Sequence, residues 1–348
     1  MSEQSQDKRL PWPAGSATGI GSMPGTDPGE SCRAVFGELP DLPFLPELPD
    51  RGPGADITGR TAALLIDMPV QTTSQGWKLA DSPGRELSRA AGYWSQDLDT
   101  LEEVADGYEG PLKIQVCGPW TLAAALELSH SVNPALYDPG AVADLTASLA
   151  EGLAAHAADV RKRVPGADLI VQLDEPSLPA VLAGRVPTAS GLNVVAAVDR
   201  VVVIQRLETV LAAPSAATVV HCCAPSAPFP EMKSAGATAV SFDLSMLADR
   251  QVDDIAELAE AGLGIFAGAL PTSSAQRLVS GPPLAPRQTA ESVVTLWRKT
   301  GLAPGRLTAQ VVFTPACGLA GVSPAAASAA LEHVREAARI APEMIEPS

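Results

Sequence analysis

The chain has 348 residues, 46% apolar and 18% charged, a globular composition long enough for one large α/β barrel or two average domains. Lys and Arg number 24 against 40 Asp and Glu, giving a net charge of −16 that repels nucleic-acid backbones and anionic lipid and argues against both as partners. Five cysteines, at 32, 117, 222, 223 and 317, make no disulfide scaffold at this length, and no stretch approaches the ~20 uninterrupted apolar residues of a membrane span.

Residues 1–14 read as a polar, Pro-rich extension without a signal-peptide apolar core, so the expected setting is the reducing cytoplasm. From 15 to 341, short β-rich runs alternate with Ala/Leu-rich helical stretches. Strands are expected near Ser16–Ser22, Pro43–Glu47, Leu112–Cys117, Asp168–Asp174, Ala217–Cys223, Ala239–Asp243, Gly264–Ala269 and Leu307–Thr314. Several are continuous apolar runs, as parallel strands buried on both faces require. The longest excursion, Leu48–Pro111, separates the second and third strands. It opens on Arg51-Gly52-Pro53-Gly54, carries an expected helix over Arg85–Tyr108, and has the length of a lid or substrate wall. Further helices are expected over Asp138–Arg163, stopped by Val164-Pro165-Gly166, over Asp249–Glu260, stopped by Ala261-Gly262, and over Pro324–Ala341, before a tail at 342–348. Eight strand–helix units favour a single (β/α)8 TIM barrel with a long insertion between strands 2 and 3.

Nearly every expected strand ends in something reactive: Ser22, Glu47, Cys117, Asp174-Glu175, His221-Cys222-Cys223, Asp243, and Cys317 just beyond the last. Barrel active sites are assembled from several strand ends at the C-terminal face, and a purely structural barrel has no need of this coincidence. His221 and Cys223 stand two apart at a strand end, so their side chains point the same way and can reach one ion. Imidazole and thiolate are preferred zinc ligands. The pair alone also fits a core histidine and core cysteines. Cys317, facing the same mouth, favours the metal. Cys222 should point away. Asp174-Glu175-Pro176 fits either a carboxylate in the mouth or acids at a helix N-terminus. Gly19-Ile20-Gly21-Ser22-Met23-Pro24-Gly25 is no dinucleotide fingerprint, because Pro24 interrupts it and its third glycine is displaced. His130, His156 and His333 fall on expected helices and are expected to face solvent.

Four motifs, Ile20-Gly21-Ser22-Met23-Pro24, Gln172-Leu173-Asp174-Glu175-Pro176, His221-Cys222-Cys223 and Pro315-Ala316-Cys317-Gly318-Leu319, resemble in order and spacing the catalytic C-terminal barrel of cobalamin-independent methionine synthase. The resemblance implies a homocysteine site with zinc on the thiol. His221, Cys223 and Cys317 match zinc ligands, and Asp243 stands where the family has a glutamate ligand. Asp174 and Glu47 match acids that hold the substrate's amino group. Ile20 and Ser22 would place its carboxylate, largely through backbone.

Two departures accompany the likeness. The full-length synthase carries a second, N-terminal barrel for which this chain has no room, and Ala269 occupies the place of the family's proton-donating histidine. The expectation is a zinc-dependent S-methyltransferase acting on homocysteine, with a donor other than polyglutamylated folate, such as a methyl group carried by another protein. Alternatives are zinc-dependent alkyl transfer to another thiol, a metal-free barrel resembling uroporphyrinogen decarboxylase, or a non-enzymatic zinc or thiol sensor.

Overall fold

The computed structural model describes residues 10–281 and 284–345. Six parallel strands form one curled sheet: β3 (Gly110–Cys117), β5 (Ala167–Asp174), β6 (Ala217–Cys222), β7 (Ala239–Asp243), β8 (Gly264–Leu270) and β9 (Val311–Pro315). The excursion and its neighbour add a small three-stranded sheet, with β1 (Val70–Thr72) antiparallel to β2 (Trp77–Leu79) and β2 parallel to β4 (Leu126–Glu127).

The first two expected strands are extended segments rather than strands. They join the sheet through single parallel bridges, Ala17 to Phe313, Ser22 to Glu47 and Phe44 to Lys113. The reason lies in residues 43–49, where Pro43, Pro46 and Pro49 lack the N–H a ladder needs. The last expected strand also differs. Leu307–Gln310 belongs to a short helix, Pro304–Gln310, with its proline in the first turn, where a missing N–H costs nothing. The strand begins only at Val311.

The parallel pairing runs in register from Gly110–Ala167 to Cys117–Asp174, and onward from Asp174 to His221 and from His221 to Ser241. Alternate residues therefore layer the concave face. Ile170, Val219, Ala239, Phe266 and Val312 pack with Leu42 and Trp12 as an apolar floor. Above it lies a buried polar layer of Lys113, Gln115, Gln172, Ser241 and Thr314, and above that Asp174 and His221. Trp12 meets Phe266 edge to face at 5.0 Å. The expected free extension at 1–14 is thus tied down by Trp12, while residues 1–9 lie outside the described residues.

The convex face packs against helices that include Pro28–Glu38, Pro139–Arg163, Arg200–Ala212, Val252–Glu260 and Pro286–Thr300. Asp138 caps the second of these by accepting from Gly140 and Ala141 N–H groups at 2.8 and 3.3 Å. The final helix runs from Pro324 through Pro342 to Ile345, past its expected end. Ile345 is buried, and a proline in a last turn forfeits only one hydrogen bond. His130 is exposed, but His156 and His333 are buried, against expectation. His156 packs on Trp94 with ring centroids 4.3 Å apart, and His333 Nε2 lies 2.8 Å from Thr289 Oγ1. Among the described residues, no helix is long and apolar enough to cross a membrane.

Candidate active site

One cavity of about 310 Å³ opens at the C-terminal ends of the strands. Ile20, Ser22, Glu47, Asp174, His221, Cys223 and Cys317 all line it. Seven of the eight site residues expected from sequence therefore meet in one place, although they span nearly 300 positions of chain. Backbone hydrogen bonds between neighbouring strand ends hold them there. Glu47 N–H donates to Gly21 O at 3.0 Å, Gly118 N–H to Asp174 O at 2.9 Å, Glu175 N–H to His221 O at 2.7 Å and Leu319 N–H to Ser22 O at 2.8 Å. The last contact needs Gly318, because a Cβ there would collide with Ser22 Oγ.

At one end of the cavity, ligand atoms of His221, Cys223 and Cys317 lie within 4.8 Å of one another. The two sulfurs are 3.4 Å apart. His221 Nδ1 lies 2.8 Å from Ser241 Oγ, and its buried Nε2 has no hydrogen-bond partner. A buried polar atom without a partner is costly, and an outer-shell hydrogen bond on the other ring nitrogen is how ligating histidines are oriented. Two thiolates bound to one tetrahedral zinc stand about 3.8 Å apart, close to the spacing found. The three residues fit a zinc ion. The two thiols are strongly coupled: the Cys223–Cys317 contact, followed by His221, draws Cys317 down, and the same contact with burial drives Cys223 up.

Asp243, expected as an oxygen ligand, does not join this group. Its carboxylate accepts from Ser245 N–H at 2.8 Å and Ser245 Oγ–H at 2.7 Å, capping the turn that follows β7. Aspartate is short enough to fold back on its own backbone in this way. Cys222 is turned into the core between sheet and helices.

The other end carries carboxylates. Asp174 is buried at the rim and accepts from Gln172 Nε2 at 2.7 Å. Burial raises its pKa, opposed by His221, Lys113 and Gln172. Glu47 is pushed up to about 7 by burial, against the pull of Arg60. Glu175 takes the second of the two roles open to the acid pair. It accepts from the Trp120 and Thr121 N–H groups at 2.9 and 2.8 Å and from Thr121 Oγ1 at 2.7 Å. It thereby caps the neighbouring helix Pro119–Ala125 rather than its own. A Cβ at Gly118 would collide with its carboxylate.

Sequence reading passed over the layer beneath. Lys113 is fully buried, and its Nζ donates to Ile20 O at 2.8 Å and Gln115 Oε1 at 3.1 Å. Burial lowers its pKa to about 7, opposed by Asp174 and Glu47. Gln172 Nε2 also donates to Ile20 O, at 2.9 Å. One carbonyl thus takes two side-chain donors, which fixes the Ile20–Ser22 backbone beside Asp174. Lys113 and Gln115, the two polar side chains in a run of otherwise apolar β3 residues, are the available signal.

Residues 133–340, more than half of the chain, match the family described as cobalamin-independent synthase, catalytic domain. Among solved structures, the chain is similar to a B12-independent methionine synthase from a Shewanella species in complex with selenomethionine. Identity is 16%, over 71% of this chain and 67% of that one, with a TM-score of 0.49. It is also similar to a mutant tryptophan synthase α-subunit from Pyrococcus furiosus, at 12% identity over 96% of this chain and 98% of that one, with a TM-score of 0.37. A search of curated proteins returns no match. With the family match covering the segments that carry Asp174, His221, Cys223 and Cys317, the chain belongs to the cobalamin-independent methionine synthase family, as a methyltransferase catalytic domain.

Proposed function

We propose that the chain is a zinc-dependent S-methyltransferase that makes methionine from homocysteine, working at the mouth of an eight-stranded barrel completed by the two bridged segments. One observation carries this reading: a single cavity has an unpartnered imidazole nitrogen and two thiols at one end and two buried carboxylates at the other. Homocysteine has matching ends, a thiol and an ammonium. His221, Cys223 and Cys317 would hold the zinc, which would supply Lewis acidity to keep the substrate thiol deprotonated and nucleophilic.

The chain's own residues supply the remainder. Ser241 fixes the His221 ring so that Nε2 faces the two sulfurs. Asp174 and Glu47 hold the ammonium, and the Ile20–Ser22 backbone, clamped by Lys113 and Gln172, receives the carboxylate. Fixing both ends of the amino acid leaves its thiol a single approach, and such proximity is a large part of catalysis. The lining contains three acids, Glu47, Asp56 and Asp174, and no Lys or Arg, which disfavours a polycarboxylate substrate of the decarboxylase kind.

Among the described residues His221 is the histidine that lines the cavity, and Ala269 is buried in β8. A methylfolate leaves well only when its nitrogen is protonated, which is general-acid work. A pre-activated methyl group, such as one on a corrinoid carried by another protein, requires no such acid. Zinc-loaded chain and homocysteine should therefore transfer a methyl from methylcobalamin in preference to methylfolate or its polyglutamate. Efficient turnover with the polyglutamate alone refutes the donor assignment. Zinc-free protein that methylates homocysteine at the same rate refutes the metal.

A further inference from the structure

The excursion between Leu48 and Pro111 buries a pair of arginines. Arg60, on the helix Ile57–Ala62, is 1% exposed, and its Nη1 donates to Asp97 Oδ2 at 2.5 Å. Asp97 lies on the helix Arg85–Val104 and is itself 1% exposed. Arg51 grips the same carboxylate with two bonds, at 2.7 and 2.8 Å. Asp97 is therefore already neutralised from the other side, and the charge of Arg60 is left over. That charge lies behind Glu47, which lines the cavity: Arg60 Nε lies 3.7 Å from Glu47 Oε1, and neither Nε nor Nη2 has a hydrogen-bond partner.

The guanidinium is held in this pose. Its centre sits 3.9 Å from the centroid of the Trp94 ring, and Trp94 Nε1–H donates to Arg60 O at 2.8 Å. His156, packed on Trp94, adds no positive charge near neutral pH, because burial and then Arg60 lower its pKa to about 4. The charged and polar groups that face Glu47 are Arg60 from the excursion, Lys113 and Gln115 from β3, and Asp174 from β5. Lys113 also attracts Glu47, though less than Arg60 does, while its Nζ donates to Ile20 O and Gln115; Asp174 is repulsive. Arg60 is the stronger of the two cations acting on Glu47.

We propose that Arg60 is a positioning residue for the amino-acid substrate, favouring the ionised form of the Glu47 carboxylate and aiming it at the ammonium group. The inference rests on the reading of Glu47 as an ammonium ligand. It also assigns a task to the excursion: residues remote from the metal end set the charge of the opposite wall. Without Arg60, a buried Glu47 beside Asp174 takes up a proton, and the substrate loses half of its counter-charge.

Methionine is the probe of choice, because it carries the ammonium but no thiol. Its affinity for the zinc-loaded chain is measured by calorimetry from about pH 6 to about pH 8.5, below the titration of the free amino acid's ammonium and across that of Glu47, with each point corrected for the protonated fraction of methionine. Wild-type affinity falls as pH drops through the Glu47 midpoint. In R60Q and R60M, two neutral replacements that pack differently, that midpoint rises by about one unit or more, the scale expected when an opposite charge at this distance is removed. Affinity at neutral pH falls roughly tenfold and the deficit narrows toward the top of that range, while metal content is unchanged. R60K restores most of the wild-type profile. A structural role alone predicts weaker binding by the same factor at every pH, and that result overturns the proposal, as does an unshifted midpoint in a folded neutral variant. E47Q separates the two claims. If E47Q binds methionine as tightly as wild type, the ammonium reading falls and takes this inference with it. If E47Q binds weakly while R60Q and R60M keep the wild-type profile, only the role of Arg60 falls.

Discussion

The His221 end of the cavity brings together an imidazole nitrogen without a hydrogen-bond partner and two thiols in contact. The Glu47 end instead sets buried acids against the chain's own polar groups, with Gln172, Arg60 and Lys113 in reach. The difference teaches where each half of the proposed site would draw its partners. On that proposal the first end would gain stability from an ion, and the second would need only the substrate to exchange one set of charges for another. Metal binding and amino-acid binding should therefore separate cleanly under mutation.

The largest effect expected is the loss of the ion. Cys223→Ser and Cys317→Ser should each reduce zinc from about one per chain to a small fraction by elemental analysis, since three protein ligands are the minimum for such a site. Cys222→Ser, altering a side chain in the core, should keep it, and equal loss there would mean that the strand faces the other way. At the opposite end, Asp174→Asn should weaken methionine binding by about 1.5–3 kcal/mol, the range for hydrogen bonds to charged groups, with zinc content intact. A matching loss of zinc would merge the two ends into one structural unit.

Glu175→Gln tests a residue next in sequence to the site but outside it. It should cost about 1–3 kcal/mol of unfolding free energy in denaturant titrations, through donors left without an anionic acceptor, while zinc and methionine affinities hold in the folded protein. Loss of binding without loss of stability would place Glu175 in the site itself. The smallest effect is assigned to Asp243→Asn, whose wild-type carboxylate is engaged by Ser245. Zinc should stay bound, and a loss as full as that of the cysteine variants would make Asp243 a fourth ligand.

The strand ends were legible because their chemistry is written locally. LKIQV, DLIVQL and ATVVH are apolar runs with reactive residues one step beyond, and a parallel sheet converts that order into a shared rim. Ile20, Ser22 and Glu47 were found although their segments make only bridges, because the side chain's place at the mouth does not depend on a full ladder. What stayed hidden were long-range charge partners. Arg60 meets Asp97 across 37 positions and Glu47 across 13, and nothing in the local sequence marks a buried arginine as different from a surface one. His156 lies on a helix whose apolar stripe is weak, and its burial against Trp94 is a long-range contact; His333 lies among the buried Ala330, Leu331, Val334 and Ala337 of the final helix, with Thr289 as its partner from another helix. Asp243 shows a third limit, since residue type and strand position were right for a ligand, and a two-residue backbone turn claimed the carboxylate instead.

The clasp between Ser22 and Gly318-Leu319, with the bridge from Ala17 to Phe313, has a consequence for how the protein is made. His221 and Cys223 leave the ribosome well before Cys317, and the segment at 16–22 waits for its last neighbour until residue 313 has been made. On the proposed zinc site, a nascent chain would offer the ion only two of three ligands until that late point. Capture of the metal and joining of the chain's two ends would then coincide, so folded and zinc-loaded protein should appear together during synthesis.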